Sequence, residues 1–133
     1  MGEFESAARL DPSSPDAQYN WGNTLLALGR PQDALAHFER ALAASPTDAA
    51  VLNDYGTACA MLGRMADARA LYERALAIDP ARGDAHYNLA RVLVQTGQLA
   101  ASVAHYEAAV RLQKDNKDAI EELAAVRAAL RGR

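Results

Sequence analysis

The chain has 133 residues, 50% of them hydrophobic and 6% aromatic, with a formal net charge of −3. That length holds one domain with enough apolar material for a core, which excludes a disordered tail. An Ala- and Leu-rich, aromatic-poor mixture favours close-packed helices over sheets, and the acidic balance excludes a basic nucleic-acid footprint.

No apolar run reaches the length that spans a bilayer, so membrane insertion is not expected. The first residues, MGEFESAARL, lack the basic start and apolar stretch of a signal peptide. Gly2 after Met1 reads as part of a start added for expression rather than as a lipidation signal. Cys59 is the single cysteine and closes no intrachain disulfide, so a cytoplasmic setting is expected.

In chain order, residues 3–12 read as the tail of a second helix whose partner is missing, with Phe4 and Ala7 on its apolar face and Pro12 at its end. Either an incomplete unit is native or the chain is a fragment of a longer array, and the fragment is the expectation. A helix is expected over 16–28, with Ser14 as N-cap, Pro15 at the first helical position and Ala17, Trp21, Leu25 and Leu28 on one face. Gly29 supplies the left-handed residue that stops it. Pro31 opens a second helix to about 44, whose stripe is Ala34, Leu35, Phe38, Ala41 and Leu42, and Pro46 ends it. The pattern returns as helices over 50–62 and 66–78 around Gly63, closed by Pro80. It returns again as helices over 84–96 and 100–112 around Gly97. Lys114 stands where the closing proline would be, so nothing local forbids the last of these from running on towards Asp115. A final amphipathic helix covers 117–130, with Ile120, Leu123 and Val126 inward and Glu121, Glu122, Arg127 and Arg131 towards water. Turns this short make paired helices antiparallel.

A shift of 34 residues superposes Gly22 on Gly56, Gly29 on Gly63 and Gly97, Phe38 on Tyr72 and Tyr106, and Ala41 on Ala75 and Ala109. A fixed period means stacked supersecondary units. The expected organisation is units at 15–48, 49–82 and 83–116, a remnant at 3–12 and a capping helix at 117–133. The small set (Gly22, Ala34, Ala41; Gly56, Ala68, Ala75; Ala90, Ser102, Ala109) alternates with a large set (Trp21, Leu25, Phe38; Tyr55, Cys59, Tyr72; Leu89, Leu93, Tyr106). With that period, these residues make the chain resemble the tetratricopeptide repeat (TPR) family, three times in phase. The resemblance implies an all-α, right-handed solenoid of stacked antiparallel helix pairs. Ala90, Ser102 and Lys114 are the departures, all in the third unit.

Catalytic chemistry finds no support. His37 and His105 share one slot in the first and third units, with a full unit between them, which precludes a common metal, and both are expected on a solvated outer face. His86 is expected in a partly buried packing position and Cys59 as a buried, inert thiol. No nucleophile elbow, phosphate loop or paired-cysteine signature occurs. No enzyme activity, metal or cofactor is expected.

In the TPR family the first helices line a concave groove. The resemblance therefore puts Tyr19, Asn20, Asn23 and Leu26, then Asn53, Asp54, Thr57 and Met61, then Tyr87, Asn88, Arg91 and Val94 on that wall. Asn20, Asp54 and Asn88 lie one period apart, a spacing similar to the asparagine ladder in the TPR arm of O-linked N-acetylglucosamine transferases, where an amide can hold a peptide unit. Asp54 interrupts it, and asparagine at this slot is also compatible with mere tolerance. The carboxylate clamp of chaperone-binding TPR domains is matched by Asn23 alone. The expected function is a non-catalytic protein-protein interaction module that takes an extended peptide or a helix, neutral or basic with apolar anchors. Two alternatives stand beside it: a substrate-recruiting arm of a larger enzyme such as a glycosyltransferase, and a scaffold that self-associates through its incomplete first unit.

Overall fold

The structure is a computed structural model that describes residues 14–132. The expected helix remnant at 3–12 lies outside them. Seven helices follow one another: α1 (Pro15–Ala27), α2 (Pro31–Ala44), α3 (Ala49–Met61), α4 (Met65–Ile78), α5 (Gly83–Gln95), α6 (Leu99–Leu112) and α7 (Lys117–Arg131). The described residues contain no strand.

Local chemistry explains where α1, α3 and α7 start. Ser14 Oγ accepts from the Ala17 amide at 3.4 Å, and Pro15 fills the first position of α1. Asp48 Oδ1 accepts from the amides of Ala50 and Val51, and Asn116 Oδ1 from that of Ala119. Each side chain satisfies a donor that the helix itself leaves open.

The turn between paired helices is one device used three times. Gly29, Gly63 and Gly97 have φ of 73°, 79° and 79°. After each glycine the next amide reaches back to the preceding helix: Arg30 N to Leu25 O at 2.8 Å, Arg64 N to Cys59 O at 2.8 Å, and Gln98 N to Leu93 O at 2.7 Å. These are Schellman closures, which need a left-handed residue at that position. A Cβ there would meet nothing within 4 Å, so the constraint is backbone conformation and not space.

Gly22 and Gly56 answer a different demand. A Cβ on Gly22 would stand 2.7 Å from Phe38 Cε1, and one on Gly56 would stand 2.7 Å from Tyr72 Cε1. The missing side chain lets the first helix of a pair seat the aromatic ring of the second. Phe38, Tyr72 and Tyr106, one per pair, are fully buried. Each helix packs on the next, and among the first helices α1 also touches α3 and α3 touches α5. Because the first helices meet more closely than the second ones, the stack is an all-α repeat solenoid whose inner side is lined by α1, α3 and α5.

Three local expectations change. The helix α6 ends at Leu112 without a proline. Gln113, with φ −124° and ψ 76°, leaves the helical region, and its side-chain oxygen accepts from Asn116 Nδ2 at 3.0 Å while Asn116 caps α7. The start of the following helix therefore sets the stop. Ile120, expected inward, is 46% exposed, while Leu123 and Val126 are buried with Ala119. At 3.6 residues per turn, Ala119 holds the inward slot and Ile120 points a quarter-turn away. Leu28, expected on the apolar face of α1, is 50% exposed because it is the C-cap, past the last helical turn.

Candidate functional site

The inner side of the solenoid is cross-linked by hydrogen bonds between successive first helices. The Tyr19 hydroxyl of α1 donates to Asp54 Oδ2 of α3 at 2.6 Å. Asn88 Nδ2 of α5 donates to Asn53 Oδ1 of α3 at 3.2 Å. The Tyr87 hydroxyl of α5 donates to Glu122 Oε2 of α7 at 2.6 Å. All three bonds span 35 residues, one period plus one. They tie a residue of one helix to the next slot on its successor, so the rotation between pairs is written into the wall.

Of the stripe residues read from the sequence, Asn53 alone is buried. Its amide nitrogen donates to Asp54 Oδ1 at 3.1 Å and to Asp84 Oδ2 at 3.3 Å, which places it behind the wall. Tyr19, Asn20, Asn23, Leu26, Asp54, Thr57, Tyr87, Asn88 and Val94 are half-buried, while Met61 and Arg91 are exposed. Thr57 Oγ1 donates to the Asn53 carbonyl at 3.2 Å and stands 3.0 Å from the Tyr72 hydroxyl.

Burial holds the Asp54 carboxyl above the ordinary carboxylate range, against the opposing pull of its bonds to Tyr19, Asn23 and Asn53. Burial and then the bond to Glu122 push the Tyr87 hydroxyl up to about 12, so it stays a donor at any physiological pH.

Glu122, expected to face water, is a hub. It accepts from Tyr87 at 2.6 Å and from Tyr106 at 2.9 Å, and Arg91 Nε lies 3.5 Å from its Oε1. The Arg91 guanidinium also sits 5.5 Å from the centroid of the Tyr87 ring. Arg91, the single cation of the stripe, is thus held by both an acid and a ring.

Two pockets open on this face. One of about 200 Å³ lies between α3 and α5, walled by Thr57, Ala60, Met61, Asn88, Arg91 and Gln95. The other, of about 170 Å³, is walled by Arg91, Val94, Gln95, Tyr106 and Glu122. They share Arg91 and Gln95, so the structure brings Thr57, Met61, Asn88, Arg91 and Val94 together. Tyr19, Asn20, Asn23 and Leu26 line neither pocket. Glu122 escaped sequence reading, although its 35-residue spacing from Tyr87, matching Tyr19 to Asp54, was a usable signal. Tyr72 and Tyr106 are core residues by their rings, yet each also lines one of the two pockets.

The outer histidines are not solvated as expected. His37 is half-buried, stacked on Trp21 with ring centroids 4.2 Å apart, and its Nδ1 is 2.7 Å from Gln18 Oε1. His105 is half-buried with its Nδ1 3.1 Å from Nδ1 of His86, which is itself half-buried. Helix packing brings each of them against a polar residue nineteen positions earlier, which a scan at the repeat period does not reveal. Cys59 is fully buried, and burial raises its thiol pKa. Among the described residues no group of three or more His, Cys, Asp or Glu is disposed to hold a metal, and no helix is long and apolar enough to cross a membrane.

Two patterns for the tetratricopeptide repeat match the chain, over residues 19–83 and 60–130. The chain belongs to the tetratricopeptide repeat family. Among solved structures it is similar to pilF of Pseudomonas aeruginosa, with 26% identity and a TM-score of 0.86 over 97% of this chain and 59% of pilF. The first TPR of Spaghetti (RPAP3), solved with the HSP90 peptide SRMEEVD bound, aligns at 20% identity and a TM-score of 0.83, over 87% of this chain and 94% of that one. YrrB, described as a TPR protein with an unusual peptide-binding site, aligns at 23% identity and a TM-score of 0.82, over 92% of this chain and 63% of YrrB. At those two identities the likeness is one of fold. No curated protein matches the chain in sequence.

Proposed function

We propose that this chain is a non-catalytic interaction module that holds a partner peptide or helix on the inner side of the solenoid. The observation that carries this reading is the pair of adjoining pockets that meet at Arg91 and Gln95. A chain lying across α3, α5 and α7 sets one side chain into each pocket. The first has Met61, Ala60 and Val92 beside Thr57 and Asn88, which suits an apolar anchor next to a backbone amide. Two of the similar folds are described as peptide binders, which supports the class of ligand.

The partner is neutral or basic. Among the described residues Arg91 is already paired with Glu122 and Asp84 with Arg82, while Asp54 adds a carboxylate with no cation of its own, so an acidic tail meets no free positive charge on the wall. Asn88 and Gln95 supply bonds to the peptide backbone, Arg91 supplies direction, and Asn53 positions Asn88 from behind.

The test is selection of a displayed peptide library on the full chain, followed by titration of the selected peptides. We expect peptides with an apolar anchor and no net negative charge. Asn88→Ala with Arg91→Ala should weaken them by about ten-fold or more, with helical circular dichroism unchanged. Selection of acidic tails, or equal affinity for the double variant, overturns the reading.

A further inference from the structure

One slot of the repeat holds three chemically different pairs at the same spacing of nineteen residues. Between α1 and α2 it is Gln18 and His37, between α3 and α4 it is Leu52 and Leu71, and between α5 and α6 it is His86 and His105. The leucine pair is buried, so the packing of a helix pair does not require polar groups there. The third pair therefore has a polarity that the fold itself does not explain.

Its geometry is specific. The two Nδ1 atoms face each other at 3.1 Å, with ring centroids 5.3 Å apart and planes inclined by 31°. His86 Nε2 lies 2.9 Å from the Pro80 carbonyl oxygen, which can only accept. That bond keeps the proton on Nε2, so the His86 Nδ1 lone pair accepts from the His105 Nδ1–H, and a metal ion would take the place of that one shared proton. Two imidazole nitrogens bound tetrahedrally at ~2.0–2.1 Å to one ion stand ~3.3 Å apart. The observed separation is within a few tenths of an ångström of that bite. A carbonyl on the far N–H of a ring is also the usual outer partner of a metal-bound histidine.

We infer that His86 and His105 form a two-histidine chelate for a borderline divalent transition metal, clamping α5 to α6. Imidazole donors suit Zn²⁺, Ni²⁺ and Cu²⁺ and not Mg²⁺ or Ca²⁺. Among the described residues no third protein ligand stands by, so water completes the coordination and the ion is held weakly. Glu73 and Arg69 of α4 act on His105 with opposite charges, and Arg69 is bonded to Gln98 and Glu73. The site thus carries little net charge of its own. The clamp also stiffens the two helices that bear Arg91, Val94 and Tyr106 of the second pocket.

The test titrates the untagged, EDTA-stripped full chain with Zn²⁺ and with Ni²⁺ by calorimetry at neutral pH, with Mg²⁺ as control. We expect one ion per chain for Zn²⁺ and Ni²⁺, none for Mg²⁺, and a Tm raised by several degrees at saturating zinc. His86→Leu with His105→Leu rebuilds the Leu52–Leu71 pair, so that variant should fold and lose both effects. His37→Leu should keep them. No uptake at millimolar zinc, or the same uptake by the double-leucine variant, overturns the inference.

Discussion

Tyr87 on α5 donates its hydroxyl to Glu122 on α7 at 2.6 Å, and the same carboxylate takes a bond from Tyr106 and the charge of Arg91. Tyr19 repeats the relationship with Asp54 two pairs earlier, at the same distance. A hydroxyl held by a carboxylate is a charge-assisted bond, shorter and stronger than a neutral one. Successive pairs are therefore set in rotation by polar locks on the inner side as well as by apolar packing behind it.

The lock should be measurable. Tyr87→Phe keeps the ring and removes the donor, and should lower stability by about 1–2 kcal/mol. Glu122→Gln should cost a similar amount, and the double variant less than the sum, because each single change leaves the other partner stranded. Urea denaturation of the four proteins checks this. Strict additivity would mean that the bond contributes nothing.

Two glycines of α3 and its turn should respond differently to the same methyl group. Gly56→Ala presses a Cβ towards the buried Tyr72 ring and should cost about 1–3 kcal/mol. The third pair already carries Ala90 against Tyr106, so the ring can give, and the low end of that range is expected. Gly63→Ala meets no atom but must hold φ at 79°, costing about 1 kcal/mol. Gly63→Asn should recover part of that loss, since Asn tolerates the left-handed region, whereas Gly56→Asn should be worse than Gly56→Ala. Thermal melts of the four variants separate space from backbone conformation.

On α7, neighbouring positions should differ sharply. Ile120→Lys should change stability by no more than about 0.5 kcal/mol, because the side chain is 46% exposed. Leu123→Ala, in the buried cluster with Ala90, Tyr106 and Val126, should cost about 2–4 kcal/mol. The reverse order in denaturant midpoints would mean that α7 packs through a different face.

Acid should weaken the first pair through His37. Burial holds its pKa below the ordinary 6.5, with Arg40 pushing the same way and Asp33 opposing. In the unfolded chain the ring takes up a proton at 6.5, while the folded protein resists it. Stability is therefore flat above pH 6.5 and falls as pH drops from there towards the folded-state value. Gln18→Leu with His37→Leu, the residue types of Leu52 and Leu71, should show a shallower fall. The readout is the urea midpoint of both proteins on each side of that pH, and an unchanged slope would refute the assignment.

The sequence by itself determined whatever depends on neighbours along the chain. The left-handed glycines at 29, 63 and 97, the Ser14 cap and the apolar stripes built around Phe38, Tyr72 and Tyr106 act over a few residues. Repeated in phase, they specify helix pairs that can only stack. Tertiary structure decided which polar groups of the inner stripe remain available. Asn53, Asp54 and Glu122 looked like surface, but the rotation between pairs brings each one against a residue of the neighbouring first helix. His37 and His105 likewise acquired partners from across their own pair. Those meetings depend on helix crossing angles set by the whole packed stack, and no local pattern of residue types encodes an angle.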